Sequence, residues 1–346
     1  MTSAPVSAGP GSSEERPDGS KSAGLSSTPS LEEVSALLDE VVNNIGTVLY
    51  GKADTVRLAV SCLVAGGHLL VEDLPGVGKT TLAKALAKSL GLDFRRVQFT
   101  ADLLPSDVTG AMIFDRDLGK PVFRPGPVFS NVLLADELNR ASPKAQSALL
   151  EAMEERQVSM DGESFALPDP FMVIATQNPF DAAGTYLLPH SQRDRFLMRV
   201  SLGYPARAEE DQLLESGDSR ASVDVLPAVT DVRGLQLAAK AAESLYVDPA
   251  VRGYVLDLVE ASRVHPDLAI GASPRAALAV MRAAAAVAIT SGRSYVTPGD
   301  VQSVAEPVLA HRLVVDPAAV LGGVDATAVV SQIVKSVSVP VRPGAR

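Results

Sequence analysis

Two clusters in this chain have the residue types and spacing to act on a polyphosphate. The first is Asp73-Leu74-Pro75-Gly76-Val77-Gly78-Lys79-Thr80-Thr81, which follows the short apolar run Leu69-Leu70-Val71 and opens a segment with apolar residues at Leu82, Ala83, Ala85, Leu86 and Leu90. Strand, glycine loop and helix in that order make a phosphate grip. Glycines let several backbone N–H groups approach one densely charged group with no Cβ in the way. The helix behind them adds free N–H groups and the positive end of its dipole. Lys79 would reach the β- and γ-phosphates, and the Thr80 hydroxyl would ligate Mg²⁺. One residue departs from the usual pattern, since Asp73 stands where the first glycine belongs.

The second cluster is Val132-Leu133-Leu134-Ala135-Asp136-Glu137. Four apolar residues ending in two adjacent carboxylates suit a buried parallel strand that delivers acids at its carboxyl end, where open α/β sheets place their ligands. Asp136 would hold a hydrated Mg²⁺, and Glu137, pointing elsewhere, could polarise a water for attack on the γ-phosphate. Either cluster alone is also what a strand end and a turn look like. In this order, with a further strand candidate between them, they reinforce each other. Three more polar sites fit a nucleotide engine. Asn178 ends the apolar run Phe171–Ala175 at a strand predicted to lie between the two motif strands, where its amide could orient the attacking water. Arg195, before the last strand, could present a cation at a subunit boundary. Arg275, one residue inside a helix, could touch the γ-phosphate across an interdomain cleft.

The elements that must position these groups follow from the rest of the chain. Its 346 residues, 46% hydrophobic and 21% charged, are enough for two domains with a substantial core of Leu, Val and Ala, because aromatics make up only 4%. A formal charge of −10 argues against a general nucleic-acid binder. The single cysteine, Cys62, reads as a small buried hydrophobe, and the four histidines show no metal-ligand spacing. No apolar run reaches a membrane span and the N-terminus lacks a signal pattern, so a cytoplasmic protein is expected.

Residues 1–30, rich in Ser, Gly and Pro, read as a disordered tail, and Ser30-Leu-Glu-Glu33 is a capping box that starts the ordered chain. An α/β domain with a parallel five-stranded sheet is expected over 31–204, with hairpins near 111–123 and 157–168. Asp248-Pro249, Ser273-Pro274 and Thr297-Pro298 each open an Ala/Leu/Val-rich segment, so a small all-α lid domain is expected over 205–315, followed by a C-terminal segment over 316–346.

The chain resembles the MoxR family of AAA+ ATPases. The resemblance rests on Leu74–Thr80, Phe99–Gly110, Gly126–Phe129, Ala135–Ala141, Gln146–Met153, Glu155–Val158, Ala175–Pro179, Asp194–Phe196 and Ser273–Arg275. It implies that Lys79 and Thr80 are phosphate-loop residues, Asp136 and Glu137 the metal and water acids, Asn178 sensor 1, and Arg275 sensor 2. Arg195 matches the arginine-finger position, acting on a neighbour's ATP, with Arg193 as the other candidate beside Asp194. Leu187-Leu-Pro-His190 stands where Pro-Leu-Pro-Glu is usual. Also implied are a hexameric ring, and chaperone-like maturation of a metal- or cofactor-containing complex with a von Willebrand factor A domain partner. A DNA-acting motor and an ATP-dependent regulatory switch are the competing classes. The acidic total and the absence of a DNA-reading motif weigh against the first, and Glu137 and Arg195 weigh against the second.

Overall fold

The computed structural model describes residues 30–179, 186, 188–216 and 223–340. The tail expected over 1–30, apart from Ser30, lies outside the described residues, as do Leu187 and residues 341–346. Helix α1 (Leu31–Gly46) starts at the capping box: the Ser30 hydroxyl accepts from the Glu33 N–H at 3.2 Å, and the Glu33 carboxylate accepts from the Ser30 N–H at 2.7 Å. Helix α2 (Ala53–Val64) leads into strand β1 (Leu69–Glu72), and α3 (Lys79–Ser89) leaves the glycine loop. Next come β2 (Phe94–Gln98), the single-turn α4 (Pro105–Thr109), and a hairpin of β3 (Gly110–Asp115) and β4 (Lys120–Pro125). Strand β5 (Val132–Asp136) is followed by α5 (Pro143–Glu155), which Ser142 caps and Pro143 opens. A second hairpin, β6 (Gln157–Met160) and β7 (Glu163–Ala166), turns at Asp161 and Gly162, both at positive φ. Strand β8 (Met172–Gln177), the short α6 (His190–Arg193) and β9 (Met198–Val200) complete the sheet, and α7 (Arg207–Ser216) leaves it.

The five-stranded sheet is parallel throughout, in the order β2-β5-β8-β1-β9. Strand β8 therefore lies between the phosphate-loop strand and the acidic strand, as the sequence predicts. Alternation along each strand builds two cores. Leu69, Val71, Leu134, Ile174 and Met198 face α1, α2 and α3, whereas Leu70, Leu133, Ala135, Val173 and Ala175 face α5. The last strand is shorter than the apolar run Phe196–Leu202 that marks it. The Phe196 carbonyl accepts from Arg312 at 2.6 Å and from His311 at 3.0 Å, so it is not free for a sheet ladder.

The C-terminal half is helical. The starts at Asp248, Ser273 and Thr297 are caps as read, each accepting from a backbone N–H of the first turn. The helix Pro274–Thr290 packs on α1 and α2, so the lid shares one continuous core with one face of the sheet. Helical structure continues beyond 315: Ala326–Ser336 buries Val329, Val330 and Ile333 and packs on the helix Pro298–Leu309. No helix among the described residues is long and apolar enough to cross a membrane.

Candidate functional site

A cavity of about 820 Å³ opens at the carboxyl ends of the sheet strands, of a size suited to a nucleotide. The loop from Pro75 to Thr81 forms one wall; Asp136, Glu137, Thr176, Gln177 and Asn178 form another. Gly76 has φ 85° and Gly78 φ 101°, left-handed conformations that keep the loop backbone turned toward the cavity and that glycine alone takes freely. At Gly78 there is a second constraint, because a Cβ would lie 2.9 Å from Leu49 Cδ1. Val48, Leu49 and Tyr50, from the connection between α1 and α2, supply an apolar side suited to a base. Lys79 Nζ donates to the carbonyls of Asp73 and Leu74 at 2.6 and 2.9 Å, which ties the ammonium to the strand end. Partial burial lowers its pKa, against the opposing pull of Asp73, Asp136 and Glu137.

Asp73 and Leu74 do not line the cavity. Asp73 does not have the positive φ of the loop glycines, so a Cβ is tolerated where the usual pattern has glycine. Its carboxylate turns toward the segment after β9 and accepts from Ser201 Oγ, Leu202 N and Gly203 N at 2.9, 2.5 and 2.7 Å. Burial alone would raise this carboxyl, but the hydrogen bonds from Gly203, Ser201, Leu74 and Leu202 outweigh it and hold it below the ordinary range. Asp73 thus pins the root of the phosphate loop to the end of the sheet.

The acidic pair is set by β8. The Thr176 hydroxyl donates to Asp136 Oδ1 at 2.6 Å and accepts from the Glu137 N–H at 2.9 Å. Glu137 itself has φ 55°, a left-handed conformation that costs a non-glycine residue about 1–2 kcal/mol. Its carboxylate is 2.7 Å from Arg140 Nε. Arg96 on β2 donates from Nη2 to Asp136 Oδ2 at 2.6 Å and from Nε at 3.1 Å.

Arg195 and Arg275 are elsewhere. Neither lines the cavity. Both meet Glu154 in the last turn of α5, each at 3.1 Å, and Arg275 is also 3.7 Å from Asp194. The expectation that Arg275 crosses a cleft to its own chain's γ-phosphate is therefore corrected. The lid packs so that the start of helix Pro274–Thr290 lies against α5 and the Asp194 segment, not against the phosphate loop.

Residues 68–198 match the family described as "ATPase family associated with various cellular activities (AAA)", and residues 260–333 match the "AAA lid domain". Chaperone MoxR1 of Mycobacterium tuberculosis is 38% identical over 313 residues, covering 88% of this chain and 82% of that protein. The chain belongs to the MoxR family of AAA+ ATPases. Within it, the uncharacterised protein YeaC of Bacillus subtilis is 44% identical, covering 91% of this chain and 98% of its own length. A crystal structure from Cytophaga hutchinsonii has the same fold, with a TM-score of 0.81 at 34% identity over 89% of this chain and 96% of that one.

The AAA family implies a bound nucleotide, usually accompanied by Mg²⁺, and the residues present fit that ion. Thr80 and Asp136 bring hard oxygen donors into the cavity. Both Asp136 oxygens already accept hydrogen bonds, which suits an ion that keeps most of its water. Sequence reasoning missed Arg96, Thr176, Glu154 and Arg312. Arg312, only 4% exposed, donates to Asp194 Oδ1 at 2.7 Å and to the carbonyls of Phe196 and Leu197. A charged residue late in a helical region carries no sequence signal of burial. Arg96 had one, since an arginine beside Val97 and Gln98 on a strand next to the acidic strand can only face the carboxylates or solvent.

Proposed function

We propose that this chain hydrolyses ATP in a ring of identical subunits, with each site shared between two neighbours. The observation that carries this reading is the separation of one chain's groups onto two faces. The phosphate loop, Asp136, Glu137 and Asn178 line one cavity, whereas Arg195 and Arg275 lie outside it, paired with Glu154 near the end of α5. Lys79 and the loop N–H groups would bind the β- and γ-phosphates, Thr80 and Asp136 would hold Mg²⁺, and Glu137 would orient the attacking water with Asn178 beside it. Bound Mg²⁺ would neutralise charge developing on the phosphate oxygens. Arg195 and Arg275 would complete the neighbour's site, Arg195 as the finger.

Helix α5 connects these parts to the hairpins. It begins six residues after Glu137, carries Glu154 near its end, and runs directly into β6. Phe165 of the second hairpin stacks on Phe123 of the first at 4.0 Å, and Phe123 meets Phe129 edge-on at 5.4 Å. The first hairpin presents Ile113, Phe114 and Leu118 to solvent, each at least 45% exposed. Such a tip suits apolar segments of a protein client, in keeping with a relative named as a chaperone. A hexamer, a von Willebrand factor A domain partner and a metal- or cofactor-containing client complete the proposal.

The experiment is ATP turnover by Glu137→Gln, Arg195→Ala, Arg193→Ala and an equimolar mixture of the first two. Shared sites predict that both of the first two are nearly inactive and that the mixture regains part of the native rate, while Arg193→Ala keeps it. A mixture that stays inactive rejects shared sites, and stimulation by DNA would favour the motor class.

A further inference from the structure

Five charged side chains alternate in sign across the seam between the α/β core and the lid. Arg195 and Glu154 are 3.1 Å apart, Glu154 and Arg275 3.1 Å, Arg275 and Asp194 3.7 Å, and Asp194 and Arg312 2.7 Å. Arg195 and Glu154 belong to the core, Arg275 and Arg312 to the lid. Glu154 gives one oxygen to each cation, Oε2 to Arg195 and Oε1 to Arg275. Arg195 is fixed at a second point, where its Nη1 donates to the Leu150 carbonyl at 2.6 Å, one helical turn before Glu154 on the same face of α5. Arg312 at one end of the row has a 4% exposed side chain, Arg195 at the other end is 30% exposed, and Arg275 in the middle is the most open, at 54%. Within the row three arginines face two carboxylates, and Arg275 is the cation left most open to solvent.

An isolated surface ion pair does little, but here one carboxylate joins two cations from separate domains. Remove it and two long, flexible guanidinium side chains that repel each other lose their common anchor. We propose that Glu154 is a positioning residue: its carboxylate clamps Arg195 of the core and Arg275 of the lid into one two-guanidinium unit, which meets a neighbouring subunit's γ-phosphate already assembled. This rests on the shared-site reading above. A preordered pair loses less conformational freedom on meeting phosphate than two independent arginines do. It also means that a lid displaced from its own core separates the pair, so one subunit's lid state is felt at the next subunit's ATP.

The test is Glu154→Ala, with Glu154→Gln as a second variant that keeps the side-chain volume. At saturating ATP and protein, the alanine variant should turn over ten- to a hundredfold more slowly, the effect of a misplaced reacting group, and the glutamine variant should fall between it and the native chain. Binding of a fluorescent ATP analogue to the variant's own pocket should stay within twofold of native. Mixing Glu154→Ala with Glu137→Gln should restore rate, because the first supplies intact acids and the second an intact arginine pair. The proposal is overturned if both Glu154 variants keep the native rate within twofold or exceed it. It is also overturned if Glu137→Gln rescues Arg195→Ala but not Glu154→Ala. If Arg195→Ala is itself silent or unrescued, it is the shared-site reading that fails, so the two failures are distinguishable.

Discussion

At the nucleotide cavity, the groups that would meet phosphate are set by the loop main chain and by side chains of the adjoining strands. Gly76 and Gly78 hold the loop open, Thr176 fixes Asp136 and Glu137 from the neighbouring strand, and the strand order brings Asn178 between them. At the arginine face, Arg195 and Arg275 are held chiefly by other side chains, Glu154 and Asp194, contributed by different elements and bridged to the lid. The first region can be complete in a single folded chain. On the proposed shared-site reading, the second awaits a neighbour's phosphate, and such a site would stay idle until assembly.

The sharpest way to break this comparison is Arg195→Ala, since a finger supplied in trans is worth about 10³–10⁵ in turnover. The expected outcome is that loss with ATP binding unchanged; an equal loss in binding affinity would place Arg195 in its own chain's cavity. Next in size is Arg312→Met. It leaves Asp194 facing Arg275 alone and strips donors from the Phe196 and Leu197 carbonyls, so a loss of about 3–5 kcal/mol in urea unfolding is expected. A loss under about 1 kcal/mol would show that the lid does not hold the finger segment.

Acidification should strike the scaffold of both regions. His68 is fully buried between β8 and α5, accepting from the Val173 N–H at 2.9 Å and donating to the Met153 carbonyl at 3.2 Å. Burial, despite the Met153 hydrogen bond, pushes its pKa down to about 4 from 6.5. The unfolded chain therefore takes up the proton first as pH falls. The stabilisation from the neutral imidazole is complete above pH 6.5 and is lost progressively toward pH 4, about 3 kcal/mol in all. His311, lowered by burial and by Arg312, adds in the same direction. Urea midpoints from pH 8 to pH 4.5 should fall most steeply below 6.5, and His68→Gln should flatten the slope. The smallest effect is that of Phe123→Ala, which removes a stack worth about 1 kcal/mol. It should leave ATP turnover near native while weakening transmission to the first hairpin, read as loss of client remodelling.

Much of the first region was legible in the sequence because main-chain geometry is written locally. Glycines mark the loop, apolar runs ending in Asp136-Glu137 and Asn178 mark strand ends, and cap-plus-proline pairs mark helix starts. The arginine face was legible only as a set of residue types. Glu154 lies in the acidic run from Glu151 to Glu155, which reads as a solvated helix face, and its partners are distant in sequence. Ion pairs between domains have no local signature. The destination of Arg275 depended on how the lid packs, which neither spacing nor periodicity specifies.

The central claim is that one chain holds two halves of two different sites. The most direct test is ATP turnover per subunit as a function of protein concentration, with molar mass measured in the same samples at saturating ATP and Mg²⁺. The account predicts a steep rise in specific activity that coincides with formation of the ring. A rate per subunit that is constant from dilute monomer to concentrated protein would contradict it, and Arg195 and Arg275 would then have no part in hydrolysis.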